Sequence, residues 1–325
     1  MDRPARIRAI GLWSGRLGSV TTVKFSLWTS NSRPWSEILD LATYADANGW
    51  HSLWFADHFM SQTPDDTPGS DSALECWTVL AALAVAVQRL RLTSMVSPVT
   101  IHHPVVLAKR VATVDQISGG RAVLGLGAGW QINEHAGYGF ELPQPKERVT
   151  HFIEAIQVIR ELLDAERANF TGPNYTLTDA PFEPKSIQSP LPILVGTSGA
   201  RMLKATAKWA NEWNTWGDPA AVRSVTEKFS AACESVGRDP ATIRRSAQAM
   251  VFFTNDDAAR QKILGRAPQG RSIVGNGAQI AEVIAEYAAD GVDEFALTEF
   301  TLGASPEQRR ESVERFHEEV ASQFA

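Results

Sequence analysis

Short apolar runs alternate with longer stretches whose apolar residues recur every three or four positions, and this rhythm begins at Val23. Runs of that kind predict strands buried on both faces, and the longer stretches predict amphipathic helices. In chain order the strands are expected at 23–28, 51–56, 90–96, 122–126, 192–195, 213–216, 247–253 and 294–300. The first helix opens at Pro34, buries Ile38, Leu41, Ala42 and Ala45, and stops at Asn48-Gly49. Further helices are predicted over 74–87, from Pro104 to the Ser118-Gly119-Gly120 stop, through Phe152 to Leu163, after Gly196, after Asp218-Pro219, through Ile280 to Tyr287, and over 305–324. The turn-rich piece 170–190 reads as an insertion, and 254–275 fits neither pattern.

Eight strands, each followed by a helix, predict an α/β chain: a single (β/α)8 TIM barrel with insertions, over 23–325. A doubly wound sheet would carry G-x-G-x-x-G after an early strand. Here Gly125, Gly127 and Gly129 have another spacing and follow the fourth. Residues 1–22 hold Arg3, Arg6, Arg8 and Arg16 around a short apolar centre. They are expected to be a poorly ordered extension, not a signal peptide. The net charge of −6, without a basic tract, argues against nucleic acid, and no apolar stretch is long enough for a membrane span. Cys76 and Cys233 form no C-x-x-C motif and suit a reducing compartment, so a cytoplasmic chain is expected.

Chemistry in such a barrel belongs at the C-terminal strand ends. Asp57-His58, Ser94 to Ser97, Gly127 to Glu134, Thr197-Ser198, Asn214 and Glu299 fall there. The run Gly120 to Glu134 is read as a strand ending in a glycine platform for a flat ligand, walled by Trp130 and anchored by an acid. Gly196-Thr197-Ser198-Gly199 is either a phosphate cradle at a helix N-terminus or a simple tight turn. His58 suits proton transfer near neutral pH, or an ordinary buried histidine. The adjacent His102 and His103 point in two directions, so no metal site is expected. Glu134 and Glu299 lack the context of a glycosidase pair.

Four stretches resemble the luciferase-like monooxygenase superfamily, within it the branch that uses the deazaflavin coenzyme F420: Trp54-Phe-Ala-Asp-His-Phe59, Leu92 to Pro98, Ile117 to Trp130 with Asn133-Glu134, and Pro192 to Gly199. The resemblance implies hydride transfer between F420 and a small organic molecule by a homodimeric barrel. FMN-dependent oxygenation and non-catalytic flavin binding are its alternatives. It implies that Asp57, Ser97, Ala128, Gly129 and Asn133 contact the ring or ribityl chain, that Ser198 and Gly199 approach the phosphate, and that His58 stands by the reactive carbon. It also implies a cis peptide at Ser94–Met95 pressed against the ring. The sugar-phosphate dehydrogenases of this group have a catalytic glutamate where this chain has Trp130, so their reaction does not carry over. Their frequent aspartate ahead of the sixth strand is Asn211 here.

Overall fold

A computed structural model describes residues 22–324, so the expected 1–22 extension lies, but for Thr22, outside the described residues. Twelve strands appear in order: β1 (Lys24–Thr29), β2 (Ser52–Phe55), β3 (Arg91–Ser94), β4 (Ser97–Pro98), β5 (Ala122–Gly127), β6 (Arg167–Thr171), β7 (Thr176–Pro181), β8 (Ile193–Gly196), β9 (Glu212–Trp216), β10 (Arg244–Phe253), β11 (Ser272–Gly275) and β12 (Glu294–Thr298). Parallel pairing runs β1–β2–β3–β5–β8–β9–β10–β12 and returns from β12 to β1, which closes an eight-stranded barrel. The helices are α1 (Trp35–Ala47), α2 (Cys76–Ala86), α3 (Pro104–Ser118), α4 (Ile132–Tyr138), α5 (Pro145–Asp164), α6 (Ala200–Trp209), α7 (Pro219–Glu234), α8 (Asp257–Leu264), α9 (Gly277–Ala289) and α10 (Pro306–Glu319).

The helix ends follow local chemistry. Proline at the first turn of α3, α5, α7 and α10 sits where its missing N–H has no partner to lose. Asp218 and Ser305 accept from backbone N–H groups at the starts of α7 and α10. Gly119 closes α3 in the left-handed conformation at φ 69°.

Strand alternation separates two interiors. Leu27, Leu53, Leu92, Leu124, Val195, Ala249 and Leu297 point outward into the large core under the helices. Trp28, Trp54, Met95, Val123, Leu194 and Ala296 form a smaller cluster inside the barrel. Beneath it, at the N-terminal strand ends, Arg91 pairs with Glu212 and lies 4.0 Å from Glu294, while Arg244 donates to His51 Nε2 at 2.9 Å. Burial first, and then Arg91, Lys24 and Arg244, push the His51 imidazole down to about 3. The neighbouring Glu294 carboxylate, 3.8 Å away, favours the opposite shift. The neutral form prevails because Arg244 can donate only to an unprotonated ring nitrogen.

Three segments depart from the sequence reading. The 170–190 insertion holds an antiparallel hairpin, β6–β7, that begins at Arg167. Residues 254–275 form α8 and β11, and β11 pairs with the upper half of β10. The cis peptide lies at Met95–Val96, not at Ser94–Met95. Ser94 is still in the ladder: it pairs with Phe55, and Met95 N donates to Phe55 O at 2.7 Å. The chain leaves that ladder after Met95 and rejoins β5 as β4.

Candidate active site

The loops after the strands bring the expected residues to the C-terminal mouth of the barrel. Asp57 follows β2 and is 1% exposed. Its Oδ2 accepts from Ser97 Oγ at 2.5 Å and from His102 Nε2 at 2.9 Å. Trp77 Nε1 donates to the same serine oxygen, and Arg110 donates to His102 Nδ1 at 3.0 Å. That last bond makes Nδ1 an acceptor, so the proton of His102 sits on Nε2 and points at Asp57. Asp57 Oδ1 is buried and has no partner among the described residues. A carboxylate so held keeps one buried acceptor uncommitted.

His58 is the adjacent residue. Its Nδ1 lies 2.9 Å from Glu134 Oε1, and Glu134 Oε2 accepts from Phe59 N at 2.9 Å. A carboxylate only accepts, so Nδ1 carries a proton, and the neutral ring then has its lone pair on Nε2. The ring stands edge-on to Trp130 at 5.5 Å, and Trp130 is 52% exposed. The wall expected of Trp130 is therefore a half-open rim.

The glycine platform is built otherwise than expected. A Cβ on Gly125 would lie 1.8 Å from Ser94 O, and one on Gly127 would lie 2.5 Å from Val96 Cγ2. Gly125 makes room for the bulged backbone of the neighbouring strand and Gly127 for the Val96 side chain. A Cβ on Gly129, at φ +87°, would meet Thr100 Oγ1 at 2.1 Å, and the Gly129 carbonyl accepts from Arg148 at 2.6 Å. Gly199 differs: nothing lies within 4 Å of its Cβ position, and α6 begins after it with no side-chain cap. Thr197 N is taken by Asn214 O, and Thr197 Oγ1 accepts weakly from Gly199 N at 3.3 Å. Ser198 is exposed and Gly196 half-buried, 3.7 Å from Met95 Cε at its Cβ position.

Ser94, Met95 and Ala128 also reach the mouth, with Ser94 Oγ accepting from Gly125 N and donating to Gly125 O. Asn133 is fully engaged elsewhere. Its amide donates to Ser61 O at 2.9 Å and its oxygen accepts from Glu134 N at 2.9 Å, tying the 59–68 loop to α4. Asn211 accepts from Arg160 and from Ile193 N, so an amide suffices at that position. Residues that the sequence did not single out are Trp28 and Gln248, whose only signal is an inward strand position, and Arg110, on α3; His102, just before the helix-opening Pro104, was weighed only as a metal ligand. His103 is exposed, and no cluster of three or more potential metal ligands occurs among the described residues. No described helix is long and apolar enough to cross a membrane.

A family model described as luciferase-like monooxygenase matches residues 16–323. An F420-dependent glucose-6-phosphate dehydrogenase of Kineococcus radiotolerans is 30% identical over 226 residues, 68% of this chain and 65% of that one. An F420-dependent hydroxymycolic acid dehydrogenase of Mycobacterium tuberculosis is 29% identical over 219 residues, 67% of this chain and 59% of that one. The match thus spans less than two thirds of the length of these curated relatives. A solved F420-dependent secondary alcohol dehydrogenase, in complex with an F420-acetone adduct, is similar with a TM-score of 0.78 at 17% identity. It covers 92% of this chain and 98% of that one, a likeness of fold.

Proposed function

Because the chain belongs to the luciferase-like monooxygenase family, we propose that it is an oxidoreductase exchanging hydride between coenzyme F420 and a small organic substrate. The observation that carries this reading is the pairing at one mouth of a histidine with a free Nε2 and a buried carboxylate with a free oxygen. The residues fit such a cofactor. Asp57 Oδ1 would accept from its ring or chain hydroxyls, and the open space at Gly199, before the uncapped start of α6, would take a phosphate. Bound there, the deazaflavin supplies a carbon that takes or releases hydride.

The protein's own residues do the rest. His58 Nε2 takes the substrate proton as hydride leaves, and returns it in the reverse direction. Glu134 holds the imidazole in the tautomer that this requires. Ser97 and His102 keep Asp57 aimed, while Ala128, Gly129, Trp130 and Met95 shape the pocket. Asn133 supports the loop beneath it. The sugar-phosphate oxidation of the relatives is not part of this reading, since Trp130 stands where their catalytic glutamate is. A homodimer, carried by the resemblance, and the cytoplasm, suggested by the two unpaired cysteines, are part of it.

Fluorescence titration of the purified protein with F420, beside FMN, tests the assignment. Saturable F420 binding with no retained yellow flavin is expected. FMN that survives dialysis, with no F420 binding, would replace it by the flavin-dependent alternative.

A further inference from the structure

The turn 30–33 between β1 and α1 is fixed to the end of β12 by matched charge. Ser30 N donates to Glu299 Oε1 at 3.0 Å, and Arg33 donates to both oxygens of that carboxylate. Glu299 is 0% exposed, and Arg309, itself paired with Glu37, lies 3.5 Å from its second oxygen. Two buried carboxylates, Glu37 and Glu299, thus alternate with two guanidiniums, and each charge has its partner.

Held there, Asn31 reaches the loop after β2 twice. The residue is 7% exposed. Its Nδ2 donates to the His58 carbonyl at 2.6 Å, and its backbone carbonyl accepts from Leu74 N at 2.9 Å. The segment 58–74 therefore leaves and returns at one residue, as the ends of an Ω-loop do. Its first half is tied along both edges. Ser32 Oγ lies 3.0 Å from Ser61 Oγ on one side. On the other, Gln131 Nε2 donates to Met60 O and Asn133 Nδ2 to Ser61 O, each at 2.9 Å.

His58 is thus gripped by two different elements. Glu134, on α4, holds ring Nδ1, and Asn31 holds the backbone carbonyl. A hydrogen bond on Nδ1 alone lets the imidazole pivot about that contact. A second contact on the carbonyl fixes the backbone, and with it the axis about which the side chain turns.

We propose, resting on the hydride-transfer reading above, that Asn31 is a positioning residue: it clasps the 58–74 strap and fixes the backbone from which His58 presents Nε2 to the mouth. It acts through His58, while His58 acts on the reacting atoms.

The test needs no substrate. Nitrogen NMR of the cofactor-free protein, labelled at histidine and held at about pH 8 where an ordinary imidazole is neutral, reads the tautomer of each ring. The His58 pattern is the one lost in His58→Asn, and in the wild type a single Nδ1–H form is expected. Asn31→Ala removes the donor, and Asn31→Asp keeps the shape but sets an acceptor against the His58 carbonyl. Both are expected to move the two His58 nitrogen shifts toward each other, as a released ring samples both tautomers, while those of His102 and His135 stay. Amide hydrogen exchange over 59–74 is expected to accelerate about tenfold or more in both variants, with β5 within about twofold of wild type. An unchanged His58 pattern, or an acceleration that includes β5, overturns the proposal. So does Asn31→Asp behaving as wild type, since shape alone would then suffice. Fluorescence titration should leave the F420 Kd of both variants within about threefold, and a larger loss would make Asn31 a cofactor-binding group and overturn the assignment. Failure of the wild type to bind F420 would remove the hydride-transfer reading, and the nitrogen spectra and the exchange would still decide the clasp.

Discussion

Glu134→Gln isolates the contact that sets the histidine tautomer. The carboxylate is 1% exposed and faces two donors, His58 Nδ1–H and Phe59 N–H, each at 2.9 Å. A glutamine keeps the shape but replaces one acceptor with an NH2 group. If its oxygen stays on Phe59 N, the amide N–H points at His58 Nδ1 and is satisfied only when the imidazole proton moves to Nε2. That tautomer blocks the nitrogen that must accept a proton. The loss is of one hydrogen bond to a charged group, about 1.5–3 kcal/mol. At 1.36 kcal/mol per decade this corresponds to a fall in kcat of about 10- to 100-fold. Cofactor affinity is expected to stay within about threefold, because Glu134 bonds neither Asp57 nor the 196–199 turn. The melting temperature should fall by only a few degrees. Steady-state kinetics and F420 fluorescence titration on one preparation separate the quantities. A kcat within twofold of wild type, or equal losses in kcat and affinity, would refute the tautomer argument.

Four further outcomes are expected. His58→Asn should lower kcat by on the order of 10²-fold while F420 Kd changes little, and a rate within a few-fold of wild type would remove His58 from the mechanism. His102→Leu strips Asp57 of a donor and strands Arg110, so F420 Kd should rise about tenfold or more, whereas His102→Gln, which can donate and accept in the same directions, should stay within about threefold by fluorescence titration. Gly125→Ala places a methyl 1.8 Å from a backbone oxygen, so the loss should reach about 3 kcal/mol or more in urea unfolding, and a loss under about 1 kcal/mol would contradict the packing role given to that glycine. The neutral His51 predicts acid sensitivity: the unfolded chain takes that proton below about 6.5 while the folded protein resists until about 3, so stability falls with pH across that window by up to about 1 kcal/mol per unit. Burial and Glu212 raise Glu294, which acts in the opposite direction, so unfolding at pH 7 and pH 5 should show a smaller pH dependence in His51→Gln, and an equal one would exclude His51 as the source.

The barrel was legible because parallel strands covered on both faces read as unbroken apolar runs, such as Ala122 to Leu126, each ending at a glycine or a polar pair. What stayed hidden lacked that signature. The helix α4 buries Asn133, Glu134 and His135, so its inner face is polar and shows no apolar stripe. The helix α8 buries no residue at all, and β11 has four residues that only pair with the upper end of β10. At the site, Asp57, His58 and the 196–199 turn were legible as strand-end chemistry. The glycines at the end of β5 were legible as close-approach positions but not as to what approaches, because the adjoining strand and a ligand ask for the same missing Cβ. His102 was weighed for metal binding and set aside because it and His103 point in two directions; its role beside Asp57 stayed hidden, since a partner 45 positions away leaves no local pattern.

The two ends of the barrel treat unpaired polar atoms differently, and that difference bears on which end binds. At the N-terminal end Glu294 Oε2 has no hydrogen bond, yet His51 lies 3.8 Å and Arg91 4.0 Å from it, and Ser26 donates to its other oxygen. The charge is answered within the fold, and the cluster works as a plug. At the C-terminal end Asp57 Oδ1, Trp28 Nε1 and Gln248 Nε2 are buried with no partner among the described residues. Leaving such groups unpaired costs about 1–3 kcal/mol each. Trp50 Nε1, just before β2, is unpaired too, so what sets the mouth apart is an unpaired acceptor beside His58. That acceptor suits the hydroxyl-bearing chain of a cofactor.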